Sequence, residues 1–304
     1  MDDHAVGTVR TDELPADVPG VARYVTVDGR RFHLIEAGPA DGELVVLLHG
    51  FPEFWYGWHA QIRPLARAGY RVVVPDQRGY NRSAKPDSVS AYRIEELAAD
   101  VAGLIDACDR RSAAIVGHDW GGVVGWWLAI HERSRVRRLV ACNAPHPTVI
   151  RRRLRTDPTQ LLRSSYAIAF QLPVVPEAVA RAFDWRLPVR RMRETALPGS
   201  FSTTDLERYK RAWERSFSTT LDWYRAAARS RPRPATNAVD VPTRVVWGTR
   251  DAFLPTGMAF DSLAFCADGR LTKLTEATHW LQHEFPDAIS STLIDELDPQ
   301  SDTV

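Results

Sequence analysis

One short segment carries most of the chemistry in this chain: Gly117-His118-Asp119-Trp120-Gly121-Gly122. It lies between an apolar run at residues 112–116 and a helical pattern at residues 121–130. A strand that turns this sharply into a helix forms a nucleophile elbow, whose flanking positions must be small. Gly117, Gly121 and Gly122 meet that demand, and Asp119 stands at the centre, where esterases carry serine. The exchange is informative. A serine that attacked saturated carbon would end as an ether, whereas a carboxylate ends as an ester that water can cleave. Asp119 therefore points to displacement at sp³ carbon, with an epoxide oxygen or a halide leaving. The bland alternative is a glycine-rich turn in which Asp119 only caps a helix. It loses weight once the partners of Asp119 are found.

Cleaving such an ester requires backbone N–H donors for the oxyanion. Trp120, just after the nucleophile, is one expected donor. Phe51, in the His49-Gly50-Phe51-Pro52 turn after the apolar run at 43–48, is the other. Chains with this elbow order their triad as nucleophile, acid, histidine. His279, just past the apolar run at 270–274, is the expected general base, and His283 is its rival. Asp251 closes the segment Trp247-Gly248-Thr249-Arg250-Asp251 and is the expected acid that orients His279 and stabilises imidazolium. An alkoxide is a poor leaving group and needs acids aimed at it. Tyrosines, with pKa near ~10, donate hydrogen bonds and stay protonated at neutral pH. Tyr166, Tyr209 and Tyr224 all lie in the helical stretch described below. A halide would instead be held by an indole or amide N–H, which Trp120 could supply.

These residues need a scaffold that brings them together. Residues 23–27 and 31–36 alternate apolar and polar around Asp28-Gly29, a hairpin signal. Further strands are expected at 43–48, 71–75, 112–116, 136–142, 243–247 and 270–274, with helices at 57–68, 95–108, 121–130 and 286–297. Continuous apolar runs alternating with amphipathic helices predict an α/β fold, a mostly parallel central sheet covered by helices on both faces. The rhythm breaks at Asn143-Ala144-Pro145-His146-Pro147, and only helical patterns follow for about ninety residues. The chain thus divides into a flexible N-terminal arm at 1–20, a core at 21–144 and 236–304, and an inserted all-helical cap, or lid, at 145–235.

The formal net charge of +1 argues against a nucleic-acid partner. No apolar run is long enough for a membrane span. The basic run at 151–155 with Arg163 reads as a solvated helix face. Cys108, Cys142 and Cys266 match no disulfide or zinc spacing and read as small buried side chains in a cytoplasmic protein.

From about residue 23 to 297 the chain resembles the epoxide hydrolases of the α/β-hydrolase superfamily. His49-Gly50-Phe51-Pro52-Glu53, the Asp119 elbow and Asn143-Ala144-Pro145-His146-Pro147 resemble core segments of that family, which haloalkane dehalogenases share. In the cap, Tyr166, Phe170 and Gln171 match a Tyr-x-x-x-Phe-Gln pattern, and Trp223-Tyr224-Arg225 resembles a second tyrosine segment. The resemblance implies the α/β-hydrolase fold and a mechanism without metal or organic cofactor. In it, Asp119 opens the ring while Tyr166 and Tyr224 donate to the oxygen. His279, oriented by Asp251, then activates water, and the Phe51 and Trp120 N–H groups hold the oxyanion. Phe51, Pro52, Trp120, Phe170 and Trp280 are expected to line a pocket for a small apolar epoxide, with Trp126, Trp127, Leu172, Trp185 and Phe201 as further candidates. The expected assembly is a monomer or homodimer.

The segment from Asp76 to Ser83 departs from the family in having Asn81 where glycine is usual; asparagine tolerates a left-handed backbone. An Asp76–Arg78 pair is expected to brace the rim there. Dehalogenation is the nearest rival. Against it, Phe51 stands where haloalkane dehalogenases often carry a polar residue, and Trp120 where fluoroacetate dehalogenases carry arginine. A non-catalytic small-molecule receptor on the same fold would not need Asp119, Asp251, His279 and two tyrosines together.

Overall fold

The computed structural model describes residues 14–16, 18–230 and 237–298. Its eight strands are β1 (Val21–Val27), β2 (Arg30–Ala37), β3 (Leu44–Leu48), β4 (Arg71–Pro75), β5 (Ala113–His118), β6 (Val136–Cys142), β7 (Thr243–Gly248) and β8 (Gly269–Leu274). They form one sheet in the order β1-β2-β4-β3-β5-β6-β7-β8. The hairpin between β1 and β2 turns on Asp28 and Gly29, at φ 47° and 70°, which suits the tight turn that joins twisted antiparallel strands. β2 also runs antiparallel to β4, and every later pair is parallel.

β3, β4 and β5 are buried at every residue, which is why their sequences run apolar without alternation. Their alternate side chains feed two separate apolar clusters. Val45, Leu47, Val72 and Val116 pack toward α1 (His59–Arg67) and α11 (Pro286–Leu297). Val46, Leu48, Val73 and Ile115 pack toward α2 (Ile94–Ala107) and α3 (Trp120–His131). The helix expected at 57–68 begins at His59, after a tight 3₁₀ turn over Trp55–Trp58.

Between β6 and β7 the described residues form helices and no strand: α4 (Pro147–Thr156), α5 (Pro158–Arg163), α6 (Ser165–Ala169), α7 (Val175–Thr195) and α8 (Thr203–Arg229). α8 starts with a capping box in which Ser202 and Asp205 satisfy each other's backbone N–H. It lays Leu206, Tyr209, Trp213, Phe217 and Leu221 on the core, a stripe with helical spacing. α7 is broken at residues 182–185, where the backbone leaves the helical region. After β7 come α9 (Gly257–Leu263) and α10 (Leu281–Glu284).

The register lines up the carboxyl ends of the strands. Leu48 lies opposite Gly117, His118 opposite Cys142, Cys142 opposite Val246, and Gly248 opposite Leu274. The loops that carry Phe51, Asp119, Asn143, Asp251 and His279 therefore leave one edge of the sheet. That is the edge at which open α/β sheets bind ligands.

Some expectations need correction. Of the arm expected at 1–20, residues 1–13 and 17 lie outside the described residues, and Leu14 and Val18 pack on the core because they are apolar and adjoin β1. The end of the expected cap, 231–235, and residues 236 and 299–304 also lie outside them. Cys108 and Cys142 are buried, whereas Cys266 is partly exposed next to edge strand β8. Among the described residues no helix is long and apolar enough to cross a membrane, and no cluster of His, Cys, Asp or Glu is placed to hold a metal ion.

Candidate active site

Asp119 sits at φ 51° and ψ −120°, a costly conformation for a residue with a side chain. Its neighbours must be glycine for the turn to close. A Cβ on Gly121 would lie 2.2 Å from the Leu48 carbonyl oxygen, and one on Gly50 only 2.4 Å from Asp119 Cβ. The turn projects the carboxylate from the amino end of α3, where the helix dipole favours negative charge. Oδ1 accepts a hydrogen bond from the Phe51 N–H at 2.9 Å. Oδ2 lies 3.7 Å from His279 Nε2, and the side chain keeps 17% of its surface exposed. One oxygen is thus tied to a backbone donor while the other remains able to meet an electrophile. Trp120 supplies the first N–H of α3, a group that has no partner inside the helix.

His279 Nδ1 donates to Asp251 Oδ2 at 2.8 Å. Asp251 is buried and saturated. Its Oδ1 accepts from the Phe253 and Leu254 N–H groups, and its Oδ2 also accepts from Asn143 Nδ2. Burial alone would disfavour the charged imidazole. The charge and hydrogen bond of Asp251, with the charges of Asp119 and Glu53, outweigh it and raise His279 to about 9. His283, the rival base, lies elsewhere, hydrogen-bonded to Glu53 at 2.7 Å.

Tyr166 on α6 and Tyr224 on α8 meet with ring centroids 5.8 Å apart, nearly perpendicular to each other. Burial, followed by the Asp119 carboxylate at Tyr166 and by Tyr166 and then Asp119 at Tyr224, pushes both phenols above their usual value, so they stay protonated. The Trp120 indole packs edge-on against Tyr224 at 5.1 Å. Phe51 and Phe170 complete the wall, 5.2 Å each from Tyr224. Tyr209, the third tyrosine considered, is drawn away to Glu53.

Residues 43–286 match the family described as alpha/beta hydrolase fold. The chain is 41% identical over 280 residues to the AB hydrolase superfamily protein YfhM of Bacillus subtilis, covering 91% of this chain and 98% of that one. It is 33% identical to epoxide hydrolase A of Mycobacterium tuberculosis, covering 90% and 96%. The crystal structure of an epoxide hydrolase from Bacillus megaterium with an inhibitor superimposes with a TM-score of 0.82 at 28% identity, covering 90% and 99%. The chain belongs to the epoxide hydrolases of the α/β-hydrolase superfamily.

In this epoxide hydrolase family member, not every residue expected at the pocket reaches it. Phe51, Trp120 and Phe170 join the two tyrosines, and Trp280 lies 5.3 Å from His279 while its indole is tied to Thr195. Pro52 is buried under Trp213, whose indole donates to its carbonyl oxygen. Trp126 faces the core and donates to the Ala144 carbonyl oxygen, and Trp127 packs at a tilt against His131. Trp185 packs on Trp213 and Phe217, Phe201 on Trp280 and His283, and Leu172 points to solvent. Phe253, unforeseen in the sequence, stands 5.0 Å from His279 and 6.0 Å from Tyr166.

The expected Asp76–Arg78 pair is absent. Asp76 binds His33, Asn81 and the Trp55 N–H, while Arg78 reaches Asp100 on α2. Asn81 takes φ 41°, the left-handed conformation that its glycine-like position demands. Two further supports carried no recognised signal. Asn143, at φ 43°, accepts from the Gly248 N–H and donates to Asp251 and the Thr278 carbonyl oxygen, so it ties the ends of β6 and β7 to the His279 loop. Glu53 is fully buried among His118, Tyr209, Gln282 and His283, and His118 Nε2 donates to the His279 carbonyl oxygen at 2.8 Å. Hydrogen bonds from His118 and His283 overcome the effect of burial and hold Glu53 well below the usual carboxylate range.

Proposed function

We propose that the chain hydrolyses an epoxide to a vicinal diol through an ester of Asp119, with the helices between β6 and β7 acting as a cap that carries the acids. The observation that most supports this reading is the division of labour at Asp119. One oxygen is held by a backbone N–H, the other lies before His279, and two protonated phenols stand within its electrostatic reach.

Asp119 Oδ2 attacks an epoxide carbon and the C–O bond breaks. The alkoxide takes its proton from Tyr166 or Tyr224. Oδ1 becomes the ester carbonyl oxygen and keeps the Phe51 N–H, so the oxyanion donor is in place before it is needed. Esterification also removes the Asp119 charge, one of the influences that raise His279. Its proton affinity falls at the step that requires a base. Neutral His279 takes a proton from water, and the hydroxide adds to the carbonyl carbon. The tetrahedral intermediate collapses to the Asp119 carboxylate and the diol, and the proton held by His279 passes through solvent to the tyrosine phenolate, which resets both groups.

The wall of Phe51, Trp120 and Phe170 favours a small apolar substrate. Free thiols at Cys108, Cys142 and Cys266 favour a cytoplasmic setting. A single turnover of styrene oxide in H₂¹⁸O tests the reading. Diol with ¹⁸O in the Asp119 peptide is the expected result. Diol without label would mean direct attack by water on the substrate. Absence of diol would leave dehalogenation, read by halide release, or a receptor role.

A further inference from the structure

Among the described residues, nine of the eleven exposed large hydrophobic side chains fall between Leu161 and Leu187. Phe183 is 86% exposed, Leu162 74% and Val174 73%. Isolated exposed apolar residues are ordinary, whereas nine within 27 consecutive residues are a concentration that calls for a partner. The backbone adopts unfavourable conformations to display it. Val174 and Phe183 take φ of 65° and 52°, a region that bulky side chains avoid. At the break in α7, Trp185 turns inward onto Trp213 and Phe217, while Phe183 two residues earlier faces solvent.

The same region is strongly basic. Residues 147–193 hold ten arginines against Asp157, Glu177 and Asp184, in a chain whose formal net charge is +1. Arg155, Arg181, Arg186 and Arg193 are exposed and form no ion pair with a carboxylate among the described residues. Behind the face lies the candidate site. On α6, Tyr166 packs inward on Tyr224 and Phe253, while Ile168 is 61% exposed.

We propose that this face of α5, α6 and α7 docks on the surface of an anionic lipid bilayer. Apolar side chains would enter the boundary of the acyl region while guanidinium groups lie among the headgroups, as in interfacial helices. A second copy of the chain fits less well, because a two-fold interface would set one arginine surplus against another. An acidic protein fits less well too, because the exposed apolar side chains are spread over α5, α6 and α7 and the segment between them. Docking would let an apolar epoxide pass from the bilayer toward Tyr166. That consequence rests on the proposed hydrolase reading, whereas the docking does not.

The test is cosedimentation of the full chain with vesicles of phosphatidylcholine, alone or mixed with phosphatidylglycerol. Binding to the anionic vesicles should be at least about tenfold tighter and should weaken as salt rises. The double variant Phe183→Ser/Leu187→Ser should lose about tenfold in binding, and Arg181→Glu/Arg186→Glu should lose the preference for phosphatidylglycerol. Both should keep the wild-type melting temperature; a clear drop would mean that these side chains are packed, and would overturn the proposal. Equal binding to both vesicle types, or no loss in either variant, would overturn it as well. A dimer in sedimentation velocity that Phe183→Ser/Leu187→Ser dissolves would assign the face to a second copy instead. Turnover of a water-soluble epoxide, measured alongside, tests the hydrolase reading separately.

Discussion

Replacing Asp119→Asn keeps the size of the side chain and removes its charge, and His279 should register the loss. Wild-type His279 is raised from 6.5 to about 9. At 1.36 kcal/mol per pH unit, that difference favours the imidazolium by about 3 kcal/mol. Burial works against this value, and Asp251, Asp119 and Glu53 supply it. Asp119 Oδ2 lies 3.7 Å from Nε2. Unit charges at such a distance interact by up to about 4 kcal/mol at an effective dielectric near ~20. Solvent at the 17% exposed Asp119 side chain lowers that figure. The variant should therefore titrate at least about one pH unit below the wild type. The assay is NMR of ¹³C-labelled histidine rings, with His279→Gln to assign the signal. The folded value lies above the unfolded one, so the stabilisation is complete below pH 6.5 and is lost as pH rises toward 9. Urea unfolding should show the wild type losing stability across that window and the variant losing less. A wild-type midpoint near 6.5, or a variant midpoint still at about 9, would refute both the coupling and the idea that esterification readies the base.

Asp251→Asn removes the acceptor that orients His279 and should lower kcat by about 10³–10⁴, with KM falling alongside because breakdown of the ester becomes limiting. Intact-mass analysis should then catch the protein carrying one added epoxide. Tyr166→Phe and Tyr224→Phe should each slow ring opening by about 10²-fold, and together by more, in pre-steady-state measurements. Gly50→Ala would force a Cβ to 2.4 Å from Asp119 Cβ; urea unfolding should show a loss of about 1–3 kcal/mol, together with loss of turnover. Asn143→Ala leaves the Gly248 N–H without its acceptor. It should cost about 1–3 kcal/mol in the same measurement and depress kcat through Asp251.

Much of this architecture was legible because it is local. Central strands buried on both faces must be largely apolar, so residues 44–48 and 72–74 announced themselves. An elbow must have glycine on both sides, so Asp119 did too. The aromatic wall was only partly legible. α3 is apolar nearly all round, so nothing in its pattern says that Trp120 meets the cap while Trp126 turns to the core. Arg78 beside Asp76 suggested a pair, but the partner of Arg78 is Asp100, one helix away. Glu53 gave no sign of its role, because its partners sit at positions 118, 209, 282 and 283.

By itself the sequence determined the turn at Asp119, the apolar strands and the order in which Asp119, Asp251 and His279 leave them, since these follow from near neighbours and chain direction. Only the tertiary structure decided that Asp251 Oδ2 lies 2.8 Å from His279 and that Tyr166 meets Tyr224. It also decided that Asn143 locks the strand ends together and that Phe183 faces solvent. Those contacts depend on how the sheet aligns its strand ends and how the inserted helices settle over them. A one-dimensional pattern carries no information about which side of a helix finds a partner far away in the chain.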